Sequence, residues 1–75
     1  MIINNKIIIA KNILTNYVTR RHSFSMSELS KMIIDKGGVL RISPSMTVHK
    51  YVDYLEEKGV IKYQHKNKKY IFTSN

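Results

Sequence analysis

The chain of 75 residues predicts a small α+β domain, mainly helical, with three helices followed by a C-terminal β-hairpin. Apolar residues recur at helical spacing in three separate stretches, and serines, a proline and glycines stand where such stretches begin and end. Beyond Gly59 the apolar period drops to two. A chain this short forms one domain and buries roughly 60% of its unfolded surface, so its core is thin and leaves no room for a deep catalytic cleft. Without cysteine, packing alone or packing on a partner subunit must stabilise it.

The first helix is expected over about 6 to 20. Asn4 and Asn5 stand where a cap belongs, and Ile7, Ala10, Ile13, Leu14, Tyr17 and Val18 form one stripe opposite Asn12, Thr15, Asn16 and Thr19. Ser25-Met26-Ser27-Glu28 matches a capping box and opens a second helix, about 26 to 36, with Met26, Leu29, Met32 and Ile33 as its apolar face and Gly37 as its left-handed end. Phe24, just before it, is expected to lie in a brief extended segment and to pack inward. Ser43 and Pro44 read as cap and first residue of a third helix, about 44 to 58, in which Val48, Tyr51, Val52 and Leu55 form the core stripe and Gly59 ends the run. Over about 60 to 73, Ile61, Tyr63, Tyr70 and Phe72 alternate with polar neighbours around a tip at His65 to Lys68. Opposing Ile61 to Phe72 and Tyr63 to Tyr70 gives a hairpin with one buried face, and a register shifted by two keeps the same faces, so the turn stays open, with Asn67 best suited to a positive φ there.

Charge narrows the function. Thirteen Lys and Arg against five Asp and Glu give +8 and an isoelectric point near 9.9, which favours a polyanionic partner. All the acids (Glu28, Asp35, Asp53, Glu56, Glu57) lie mid-chain, so residues 58 to 75 carry basic groups only. No run approaches the ~20 apolar residues of a membrane span, and Met1 to Ala10 lacks the basic start and cleavage site of a signal peptide. The expectation is a cytoplasmic protein with no membrane association.

Ser45 to Lys62, with its Thr-Val pair, aromatic middle and Leu-Glu-Glu-Lys-Gly-Val-Ile ending, resembles the recognition helix and start of the wing in winged helix-turn-helix transcription regulators. The likeness covers 25 to 73 and is strongest over 45 to 63. It implies a sequence-specific double-stranded DNA-binding protein with the third helix in the major groove and the hairpin as a wing on the phosphates. The connection from Gly37 to Ser43 is seven residues, against about three or four in the family, so either Val39 to Ile42 form an extended insertion or the third helix starts earlier.

On this reading Met46, Thr47, His49, Lys50, Asp53 and Tyr54 are the candidates for base edges, with the hydroxyls of Ser43, Ser45 and Thr47 for phosphate. Lys62, His65, Lys66, Lys68 and Lys69 are the wing's phosphate ligands, weighed against a plain role in protecting a strand edge. Arg20 and Arg21 are candidates for backbone contact, weighed equally against a solvated helix end. Ile2, Ile3, Ile8 and Ile9 fall off the internal stripe and are expected at a homodimer contact. His22, His49 and His65 have no metal-ligand spacing and no glycine-rich phosphate loop occurs, so neither an enzyme nor a metal or other cofactor is expected. A winged-helix protein-interaction module is the second reading, and a single-stranded nucleic-acid binder, from Tyr63 and Tyr70 on a sheet face, the third.

Overall fold

The computed structural model describes residues 5–73. Its architecture is α+β and mainly helical: α1 (Asn5–Arg20), α2 (Met26–Asp35), β1 (Arg41–Ser43), β2 (Met46–Thr47), α3 (Val48–Glu57), β3 (Ile61–Gln64) and β4 (Lys69–Phe72). Two antiparallel hairpins, β1–β2 and β3–β4, flank α3 in sequence. One stripe of each helix closes on a common core of Ala10, Leu14 and Tyr17 from α1, Leu29 and Ile33 from α2, and Val48, Val52 and Leu55 from α3, sealed by Phe24 and Ile61.

All three helices stop in the same way. Residues Arg21, Gly37 and Gly59 take positive φ (53°, 88° and 78°), and in each case the residue's own N–H and that of the residue after it reach back to the helix's last carbonyls. His22 donates to Tyr17, Gly38 to Ile33 and Val60 to Leu55 at 2.8–3.0 Å, the Schellman arrangement that satisfies otherwise orphaned acceptors. Glycine signals two of these ends. At the first, an arginine occupies the left-handed position, which costs about 1–2 kcal/mol against the right-handed alternative and must be offset by tertiary contacts.

Of the registers that bury its apolar face, the hairpin β3–β4 takes the one with Ile61 opposite Phe72 and Tyr63 opposite Tyr70. Phe24 adds a one-residue third strand: its N–H donates to the Tyr70 carbonyl at 3.1 Å and its own carbonyl accepts from Tyr70 N–H. The Phe24 ring is fully buried against Tyr17, Tyr70 and Phe72, with centroids 5.5–6.4 Å apart. This single residue ties the hairpin to the α1–α2 connection.

Four expectations are corrected. The third helix starts at Val48, not at 44, because Arg41–Ser43 pairs with Met46–Thr47 and leaves Pro44 and Ser45 as the turn of a hairpin. Ser43 Oγ there accepts from Ser45 N–H at 3.3 Å, while the true cap is Thr47, whose Oγ1 accepts from Lys50 N–H at 3.1 Å. The capping box at α2 is half formed: Ser25 Oγ accepts from Glu28 N–H at 3.0 Å, but the Glu28 carboxylate turns to Lys69 and His22. Met32 leaves the apolar face and is 38% exposed. In the β3–β4 turn the positive φ falls on Lys68 (56°) and not on Asn67, whose side chain instead donates to Gln64 Oε1 at 3.0 Å.

Candidate nucleic-acid interface

The exposed face of α3 is short and polarised. Its stripe of Val48, Val52 and Leu55 is buried, which turns His49, Lys50, Asp53 and Tyr54 outward. The N-terminal turn carries His49 and Lys50 at the positive end of the helix dipole, where Val48 N–H donates to the Leu40 carbonyl and Lys50 N–H to Thr47 Oγ1. The C-terminal half carries Asp53, Glu56 and Glu57. Burial raises the pKa of the Tyr70 phenol, and the carboxylates of Glu56 and Asp53 raise it further, as does Tyr63. Those two acids thus lie within electrostatic reach of the β3–β4 hairpin. Tyr54, 46% exposed, stacks on Tyr51 at 6.0 Å between centroids, with Lys58 Nζ 5.5 Å from its ring.

Met46 and Thr47, expected on the helix, belong to β2 instead. Both are half-buried, and the Thr47 hydroxyl oxygen is engaged as the cap. Ser43 and Ser45 sit at the β1–β2 turn with their hydroxyls 3.5 Å apart. Arg41, at the base of that hairpin, escapes a reading that places the helix start next to it. It is exposed, and its guanidinium donates to the Pro44 carbonyl at 3.2 Å.

On the β3–β4 hairpin, Lys62, His65, Lys66, Lys68 and Lys69 are all exposed. They are not equivalent. Lys69 Nζ lies 3.8 Å from Glu28 Oε1, and Glu28 Oε2 lies 3.7 Å from His22 Nε2, so Lys69 is partly neutralised where it stands. The His65 ring sits edge-on to Tyr63 at 4.9 Å. Lys62 projects on the strand's outer side, paired across to Ile71, and Lys66 and Lys68 occupy the tip.

Arg20 is exposed at the end of α1. The guanidinium of Arg21 donates to the Thr73 carbonyl, linking the end of β4 to the α1 terminus. Ile8 is 43% exposed, whereas Ile9 is half-buried and meets Gly38; Ile2 and Ile3 lie outside the described residues. Among the described residues no group of three or more His, Cys, Asp or Glu is arranged to hold a metal ion, and no helix is long and apolar enough to cross a membrane. Comparison with protein-family models, with curated proteins and with solved structures finds no match to this chain.

Proposed function

We propose that the protein binds double-stranded DNA and regulates transcription as a winged helix-turn-helix domain, with the start of α3 in the major groove and β3–β4 as a wing on the phosphates. The observation that carries this reading is the division of the β3–β4 hairpin. Ile61 is 1% exposed and Tyr70 and Phe72 pack on the core, while Lys62, Lys66 and Lys68 are held outward within four residues or so of the tip. A hairpin packed on the core that presents lysines and no acid on its free side suits a polyphosphate track, where each lysine acts as a point charge.

Two further features support it. The one-residue strand at Phe24 ties the hairpin to the α1–α2 connection, which holds its lysines in place relative to α1 and α2. The acids of α3 lie in its last two turns, which leaves His49 and Lys50 at the end that a major groove of ~12 Å would admit first. We also propose that two copies pair through α1. Ile8 at 43% and Ile34 at 55% exposure lie where the α1 start meets the α2 end, joined by Val39 N–H donating to the Lys6 carbonyl at 3.4 Å.

Titration of labelled duplex DNA, single-stranded DNA and RNA of random sequence at rising salt tests the reading. Tighter binding to the duplex, with enrichment of one motif when bound duplexes are selected from the pool, is the expected result. Preference for single strands, or no binding at low salt, overturns it. A two-fold symmetric motif supports the paired form, and a stable monomer by sedimentation, free and on DNA, refutes it.

A further inference from the structure

The seven residues from Arg41 to Thr47 form a hairpin of their own directly in front of α3. Its inner side is fixed by Ile42, which turns toward a groove of about 190 Å³ shared with Leu14, Val18 and Tyr51. Its other side presents Arg41, exposed, with Ser45 exposed at the turn. From Lys36 to Val52 the chain carries Lys36, Arg41, His49 and Lys50 and no acid. The two hairpins therefore leave opposite ends of α3, which at ten residues is about 15 Å long, comparable with the ~12 Å width of the major groove.

We propose that β1–β2 is a second backbone-gripping element, with the Arg41 guanidinium as its phosphate ligand and the Ser45 turn lying against the sugar-phosphate chain. This rests on the DNA-binding reading above. The groove would then be spanned, with phosphates of one strand held by β3–β4 and those of the other by β1–β2. Arg41 suits the role. One of its nitrogens is committed to the Pro44 carbonyl, which fixes the fork, and the remaining donors are free to meet two phosphate oxygens together.

The test measures duplex affinity against salt for the parent, Arg41→Gln, Arg41→Lys, Ser45→Asp and, as a charge-matched control on the outer side of α2, Lys31→Gln. Arg41→Gln should flatten the slope of log affinity against log salt by about 0.9, Arg41→Lys should keep the parent slope, and Lys31→Gln should leave it unchanged. Ser45→Asp changes an exposed turn residue that does not support the core, so it reports even if the Arg41 variants misfold; it should weaken binding about tenfold or more by like-charge repulsion. A parent that binds duplex while Ser45→Asp matches it and Arg41→Gln behaves as Lys31→Gln overturns the second grip and leaves the first standing. A parent that fails to bind duplex overturns the DNA reading itself.

Discussion

Replacing Lys62, Lys66 and Lys68 together with glutamine should remove sequence-independent affinity and leave the preferred sequence alone. The three are chosen because each is exposed and, among the described residues, none has an acidic partner within 4 Å, whereas Lys69 already faces Glu28 at 3.8 Å and releases fewer counterions when it meets a phosphate. At about 0.9 per phosphate the salt slope should fall by about 2.7, so that between 50 and 200 mM salt the parent loses about 40-fold more affinity than the variant. Fluorescence anisotropy on a duplex carrying the selected motif reads the slope, and repeated selection reads the preference. Circular dichroism checks the fold, which the substitutions should spare because Ile61, Tyr70 and Phe72 hold the hairpin from the other side. A folded variant with the parent's slope would show these lysines to be only solubilising and refute the wing.

Phe24→Ala removes a fully buried ring packed on three others and should cost about 3–5 kcal/mol, a large share of the roughly 4–11 kcal/mol expected for 75 residues; a urea midpoint shift worth under 1 kcal/mol would contradict the brace. Thr47→Ala should cost about 1 kcal/mol as the loss of a helix cap, while Ser43→Ala should stay within about 0.5 kcal/mol, and the reverse order in thermal melts would put the start of α3 back at Ser43. Burial raises the phenol pKa of Tyr17, helped by Glu28, and of Tyr70, helped by Glu56 and Asp53. The folded chain thus holds these protons more tightly than the unfolded one, so stability from this source is complete below pH 10.0 and falls as pH rises through the folded values. Melts from pH 9 to 11 should show a shallower fall for Tyr17→Phe/Tyr70→Phe than for the parent, and equal slopes would refute the assignment.

What the sequence determined by itself is whatever depends on neighbours a few residues apart. Apolar periods located the three helices and the buried face of β3–β4, because a stripe or an alternation is a local property that burial on any core will select, whereas a register shifted by two would keep the same faces and only the folded hairpin fixes it. Gly37 and Gly59 marked two helix ends because a left-handed residue strongly favours glycine. The outward side of the β3–β4 hairpin was legible for the same reason: once Ile61, Tyr63, Tyr70 and Phe72 face inward, Lys62 and Lys69 face out.

Only the tertiary structure decided where competing hydrogen bonds go. Ser43-Pro44 reads as the helix start, and the pairing of Arg41 with Thr47, together with Val48 N–H donating to the Leu40 carbonyl at 3.1 Å, moves the start to Thr47-Val48. Glu28 satisfies the spacing of a capping box, yet its carboxylate is claimed by His22 and by Lys69 from the other end of the chain. Arg21 takes a backbone conformation that favours glycine, with its N–H and that of His22 closing the end of α1 and its guanidinium donating to Thr73, fifty-two residues away. Residue spacing records what a side chain can reach along its own element; which of several acceptors it takes is set by groups brought near only when the chain closes on itself.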